Sequence, residues 1–454
     1  MDDPAFTLPT PIDENTQTIL LYASQHNLAA LRPLLRIPGN ASVQDAETGF
    51  TPLHAAIAAC EDDGDVVEGE GEVEVGVEGK ADHVDVDVEK AKDVEKAKDV
   101  EKAKDIEKAK DIEKAKDVVR ELFMSGAIWN DLDVRGETPG CLAWRLGRRE
   151  LYELCVEAGV RAEMLLGIMG RYEALESGDE GEEEGEEEEE ADVMEIETNG
   201  HMEEGVEAVV VGEEKKDVNS ADYLSSTLKF EDDKLLDADA NGVMMAWETD
   251  IMRRSVDLLL PPQNQQEAGA RILNIGFGMG IIDRMFAATK PRSHHIVEAH
   301  PAVLEKVAAA SSDFGSEWEN SAPEGGKYVV HKGKWQDVLP ALLESGEVFD
   351  AIYFDTFGED YSALKEFFSE FVPGLLDEHG RFGFFNGLGA DRRVCYDVYT
   401  RVAELDLSEA GMDVEWTDVP VEELGGEGEG EWKGVRRRYW TLDTYRLPIC
   451  SFLA

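Results

Sequence analysis

Three glycines at alternating positions, Gly276, Gly278 and Gly280, stand in the segment ILNIGFGMGII just after an apolar run, and an acid, Glu298, closes the next apolar run 22 residues beyond the first of them. Glycines so placed let a backbone approach a ligand where a Cβ would block it, and a turn between strand and helix aims N–H groups at polar atoms. A carboxylate ending the following strand can accept both hydrogen bonds from a ribose diol. A dinucleotide fingerprint has its third glycine where Ile281 stands, so the spacing G-x-G-x-G argues for a different nucleotide-type ligand. Two more stretches carry chemistry. KYVVHKG leads into Lys334, Trp335 and Asp337, where an aromatic ring can flank a purine, and FDAIYFDT delivers Asp355 at the carboxyl end of its strand. In an open α/β sheet that edge is where ligands bind.

The elements that must position these residues read as a buried strand at Arg271 to Ile275, a glycine turn, a helix from about Met279, and then strands HHIVEAH, KYVVHKG and FDAIYFDT. LLDEHGRFGFFN reads as a helix end, a turn and a fifth strand. The alternation of strand and helix predicts a doubly wound, Rossmann-like α/β domain over residues 222–454.

The other half of the chain has a different pattern. Ile19, Leu20 and Ala23 share one helical face and Leu28, Leu31 and Leu35 another; TPLHAAI follows at Thr51 to Ile57, and a degenerate copy, GETPGCLA, starts at Gly136 with Cys141 in place of the histidine. These stretches resemble ankyrin repeats, in which stacked helix pairs bury one another's apolar faces. Thr51 and Thr138 stand much further apart than the repeat period of about 33 residues, which predicts an insertion over 61–117, between ankyrin-like parts at 1–60 and 118–171. The insertion holds an acidic, glycine-rich stretch and then five hexapeptides, VEKAKD or IEKAKD, at 88–117. A period of six turns the apolar residue about 120° per copy, so no apolar stripe forms. A solvated helix or a fluctuating segment is expected there, with VVRELFMSGA from Val118 as the next packed helix. Residues 172–221, containing DEGEEEGEEEEEAD, read as an acidic disordered linker because they cannot bury enough apolar area to fold.

A formal net charge of −55 disfavours nucleic acid and favours a basic partner. No apolar run is long enough for a membrane span, and the N-terminus has no leader pattern, so a soluble monomer of cytosol and nucleus is expected. The five cysteines lie apart, without spacing suited to zinc, and read as reduced thiols.

The series MMAWETDIM (Met244 to Met252), ILNIGFGMGII, HIVEAH, GKWQDVLP and YFDT closely resembles guanidinoacetate N-methyltransferase. With the ankyrin-like arm, the chain more closely resembles the fungal protein arginine N-methyltransferase 2 family, which methylates the internal, δ nitrogen of protein arginine. The resemblance implies S-adenosyl-L-methionine as cofactor, with Phe277, Gly278, Met279, Gly280, Ile281 and Ile282 around its methionine part. Glu298, Ala299 and His300 would take the ribose, and Lys334 and Trp335 would lie beside adenine. Phe230, Met252 and Tyr223 would close over the cofactor, while Glu248 of WET and Asp355 of YFDT would grip the guanidino group. A guanidinium is a planar cation with a pKa above about 12, a poor nucleophile until carboxylates orient it and take a proton. Asp355 is assigned the proton and Glu248 the clamp.

After the fifth strand, the small-molecule enzyme has hydroxyl residues that hold its substrate's carboxylate, where this chain has Asn386, Gly387, Leu388 and Gly389. That departure favours a basic protein, such as a ribosomal protein, as acceptor. Two alternatives stand: a methyltransferase of small guanidino compounds, and a non-catalytic ankyrin adaptor. RRRYWTLDTYRLPI, from Arg436, reads as a terminal strand on the substrate side.

Overall fold

The computed structural model describes residues 13–60, 110–176, 220–231, 233–261, 269–309 and 311–453. Most of the expected insertion and nearly all of the acidic linker lie outside these residues.

The N-terminal part is a layer of helices: α1 (Glu14–Ser24), α2 (Leu28–Leu35), α3 (Pro52–Ala59), α4 (110–124), α5 (Pro139–Arg145) and the long α6 (Arg149–Glu176). Their apolar faces meet in one core that includes Ile19, Leu31, Ile57, Leu122, Ala143 and Val156. α3 and α5 start in the same way. The hydroxyls of Thr51 and Thr138 accept from the backbone N–H of His54 (3.4 Å) and Cys141 (3.1 Å), and a proline follows each cap. Such caps satisfy orphan helix donors and are worth roughly 1 kcal/mol each. His54 adds a bridge, since its Nε2 lies 3.0 Å from the carbonyl of Glu137 while Nδ1 accepts from the N–H of Thr51 at 3.2 Å. Cys141, in the second copy, has no ring with which to do this. Within the described residues α4 already covers 110–117, ahead of the Val118 anticipated from sequence: in the final hexapeptide Ala115 is fully buried and Lys116 bridges Glu113 (2.7 Å) and Glu150 (2.6 Å). A single copy needs no repeating stripe to present one alanine inward.

The second part starts with α7 (Ser220–Ser225) and an antiparallel three-stranded sheet of β1 (Lys229–Phe230), β2 (Lys234–Leu236) and β3 (Gly242–Met245), followed by α8 (Thr249–Leu259). Then come β4 (Arg271–Ile275), α9 (Ile281–Ala288), β5 (Ser293–Glu298), α10 (Pro301–Ala308), α11 (Ser316–Glu319), β6 (Lys327–Lys332), α12 (Trp335–Glu344) and β7 (Phe349–Phe354). The chain finishes with α13 (Tyr361–Glu366), α14 (Val372–Leu375), β8 (Leu376–Phe384), α15 (Arg393–Glu409), β9 (Met412–Pro420) and β10 (Thr444–Phe452). The large sheet has the order β6-β5-β4-β7-β8-β10-β9, with β10 antiparallel to both neighbours and the other pairings parallel. This is a Rossmann-like, mostly parallel sheet with a reversed hairpin at one edge. β8 is longer than anticipated, because the expected turn at DEHG is absorbed as an irregularity where its register with β7 shifts.

Strand order reverses between β4 and β7, since β5 and β6 extend to one side and β8 to the other. The crevice at the carboxyl ends of β4 and β7 is therefore the ligand position that this topology creates. α15 fastens the helical layer to the sheet: Val394, Cys395, Val398 and Val402 belong to the helical layer's core, and the Tyr152 hydroxyl donates to Asp397.

Candidate active site

Two adjoining cavities open at this crevice. The first is lined by the glycine turn after β4, the end of β5, the start of α12 and the end of β7; the second by Glu248, residues 354–360, residues 387–391 and Arg437 to Tyr439. Asp355 belongs to both.

The glycine turn is shaped by contacts that leave no room for side chains. Gly276 has φ +91°, and a Cβ there would lie 2.0 Å from the Asp355 carbonyl oxygen; a Cβ on Gly278 would meet Met244 at 2.7 Å. Gly280 caps α9, which begins at Ile281 instead of Met279. Glu298 holds the turn. One oxygen accepts from the N–H groups of Phe277 (3.0 Å) and Gly278 (3.3 Å), and the other from His300 N–H at 2.6 Å. Burial pushes this carboxyl above its usual range, against the pull of those backbone donors. A carboxylate has about four acceptor positions, and the chain's own N–H groups take at least three of them.

Below the turn, Asp283 of α9 accepts from Asn274 Nδ2 (2.9 Å) and pairs with His294 Nε2 (3.0 Å), while Asn274 also donates to the Gly276 carbonyl at 2.8 Å. All three side chains are fully buried. This network joins β4, β5 and α9 under the loop, and nothing local in sequence marks it.

Of the other residues singled out from sequence, Tyr223, Ala299, Lys334 and Trp335 also line the first cavity. Tyr223 packs on His300 and Phe357 at ring separations of 4.8 and 4.9 Å. Trp335 does so mainly from behind: its ring packs against Phe354, Phe367 and Phe371, and its indole N–H donates to Glu359 at 3.0 Å. Phe277 is buried against Phe314. Ile282 is core and Met279 and Ile281 are partly buried beside it. Phe230 and Met252 line neither cavity: Phe230 lies under the Lys306 ammonium, 3.6 Å from its ring centroid, and Met252 is wholly inside the core that α8 forms with the sheet.

Four contributors were not singled out from sequence, although the stretch from Arg436 that holds Tyr439 was read as lying on the substrate side; its strand begins only at Thr444. Met244 of β3 accepts from Met279 N–H through sulfur at 3.2 Å. Glu359 gathers the Thr356 hydroxyl (2.6 Å), the Trp335 indole and the Gln336 amide N–H (3.3 Å). Gln336 keeps a buried amide oxygen with no partner among the described residues. Tyr439 donates its hydroxyl to Glu248.

In the second cavity Glu248 is almost fully buried, and its other oxygen accepts from Met245 N–H at 3.3 Å. Burial, then the charge of Asp355, pushes its pKa up to about 8. Asp355 keeps an edge open to the cavity, yet burial raises its pKa to about 7. Two acids so placed resist ionising until a cation joins them. Asn386 turns away, its amide donating to Tyr396, Thr400 and the Arg446 carbonyl (3.1, 3.3 and 3.2 Å), so Gly387, Leu388 and Gly389 form the wall.

A family model described as guanidinoacetate N-methyltransferase matches residues 212–386. Protein arginine N-methyltransferase 2 of Gibberella zeae is 50% identical over 444 residues, covering 95% of this chain and 91% of that protein. The Neurospora crassa protein of the same name is 51% identical over 452 residues, with 96% and 95% covered, and that of Aspergillus fumigatus 46% over 469 residues, with 100% of both. The chain belongs to the protein arginine N-methyltransferase 2 family.

S-adenosyl-L-methionine, the cofactor of this family member, fits the first cavity on three counts. The glycine turn gives a cradle that side chains would fill, the Glu298 carboxylate lines the cavity where a ribose hydroxyl would lie, and the orphan oxygen of Gln336 suits an adenine amino group. Bound there, it supplies an electrophilic methyl group on a sulfonium.

Proposed function

We propose that the chain methylates the internal, δ nitrogen of an arginine in a basic protein, ribosomal proteins being the leading class. The observation that carries this reading is the pair Glu248 and Asp355, two buried carboxyls with raised pKa values facing one cavity that adjoins the cofactor cavity through Asp355. A guanidinium entering between them supplies the missing countercharge, drives both to ionise and is oriented by their hydrogen bonds. Glu248, fixed through both oxygens, acts as the clamp. Asp355, at the junction of the cavities, would accept the proton that leaves nitrogen as the methyl group passes from sulfonium sulfur to nitrogen, the sulfur keeping the electron pair of the broken bond as a neutral thioether, and the product departs as a methylated guanidinium. Enclosure by Tyr439 and the wall at 387–389 excludes water and aligns the acceptor.

The three N-terminal helix pairs are read as an ankyrin-like arm, supported by the matched threonine caps of α3 and α5 and the His54 bridge. The net charge of −55 suits a lysine- and arginine-rich partner. A second reading, methylation of a small guanidino acid, draws support from Arg437 and Arg438 in the wall of the acceptor cavity, which offer cations to a carboxylate. Side-by-side turnover of guanidinoacetate and of basic ribosomal protein separates the two. Faster turnover of guanidinoacetate would overturn the protein reading.

A further inference from the structure

The segment RRRYW, between β9 and β10, contributes a side chain to the acceptor site from far along the chain. We propose that Tyr439 is a positioning residue, whose hydroxyl holds Glu248 in its ionised, acceptor-facing form. The inference rests on the reading of Glu248 as the guanidinium clamp.

Glu248 has two fixed donors: Met245 N–H on one oxygen at 3.3 Å, from its own turn, and the Tyr439 hydroxyl on the other, 191 residues away in sequence. The backbone donor sets where the carboxyl group starts; the phenol sets which way its second oxygen faces. The ring has little freedom to do anything else. Trp432 meets it edge-on at 5.0 Å and Trp247 lies tilted at 6.0 Å. On the β3 side Gly242 leaves it room, for a Cβ there would come within 2.9 Å of the ring. Tyr439 is also part of the cavity wall with Arg438. Burial and the neighbouring carboxylate push the phenol's pKa well above its ordinary value, so it stays a donor at every pH at which the enzyme works. A donor that cannot ionise favours the charged form of its acceptor. That offsets part of the burial that disfavours ionised Glu248.

The test is Tyr439→Phe in the full chain, with basic protein extracted from ribosomes as acceptor and radiolabelled methyl donor, across pH 6 to 10. Losing one hydrogen bond to a charged group raises the pKa of Glu248 by roughly one unit. The upper half-point of kcat/KM is expected to move up by that amount, with about tenfold lower kcat/KM at pH 7 that recovers at high pH. Affinity for S-adenosylhomocysteine and the melting temperature report folding and are expected to change little. In a Glu248→Gln background the same change should add almost nothing, since the group it positions is gone. A pH profile of Tyr439→Phe superimposable on wild type, or a full additional loss in the Glu248→Gln background, would overturn the proposal. Wild type that labels no arginine at any pH would sink the functional reading itself, a distinct result.

Discussion

Gly276 and Asp355 end neighbouring parallel strands so closely that a methyl group on the glycine would stand 2.0 Å from the aspartate's carbonyl oxygen. The Asp355 N–H meanwhile donates to the Ile275 carbonyl at 2.9 Å. Cofactor turn and acceptor acid are thus one piece of backbone geometry, and neither can shift alone. Gly276→Ala adds both a clash and a strained φ, and is expected to cost about 1–3 kcal/mol of stability. Binding of S-adenosylhomocysteine should weaken together with activity, read by calorimetry and by labelling; intact binding with lost activity would separate the two functions.

The pH dependence follows from the carboxyl pair. Both groups must be ionised to hold a guanidinium, so kcat/KM should rise through half-points near 7 and 8 and level off above them. The stability effect has the opposite sign. The folded state keeps protons that the unfolded chain loses at its ordinary carboxyl pKa, so from about pH 4 upward stability falls until both folded groups have ionised near pH 8. Asp355→Asn should flatten that fall. Urea midpoints at pH 5 and pH 8 measure it, and an equal drop in both proteins would count against a buried acid at this position.

Asp283 supports the site without touching it. Asp283→Ala leaves Asn274 Nδ2 and His294 Nε2 buried without their shared partner. Leaving a buried donor without its acceptor costs on the order of 1–3 kcal/mol. A fall in melting temperature of several degrees is expected, with cofactor affinity reduced because Asn274, which holds the Gly276 carbonyl, loses one of its two partners.

Val398 is fully buried where α15 meets the helical layer, and a Cβ on Gly159 would lie 2.6 Å from its methyl group. Val398→Ala should therefore destabilise by roughly 1–3 kcal/mol. Because the cluster containing Val398 also contains α1 to α6 side chains, one cooperative transition is expected in both proteins. Two separated transitions in wild type would show that the layers fold independently.

How far the site could be read from sequence depended on distance along the chain. Gly276, Gly278, Glu298 and Asp355 were legible because each sits at the end of a strand whose apolar run is local, and the strand order then brings those ends together. Tyr439 was not, since its meaning lies in a hydrogen bond to Glu248 across most of the domain. Met244 and Gln336 were invisible for a related reason: a methionine in a strand and a glutamine at a helix start read as ordinary until the fold aims them at a cavity. Met252 lies in the core on the inward side of α8, which its place in MMAWETDIM does not reveal.

The central claim is that Glu248 and Asp355 deliver arginine's internal nitrogen to a methyl donor. Purified full-length chain, incubated with radiolabelled S-adenosyl-L-methionine and basic ribosomal protein, should yield δ-methylarginine after acid hydrolysis. Asp355→Asn should lower that yield by about 100-fold or more while changing S-adenosylhomocysteine affinity much less. Solely ω-methylated arginine, or an Asp355→Asn enzyme as active as wild type, would contradict the account.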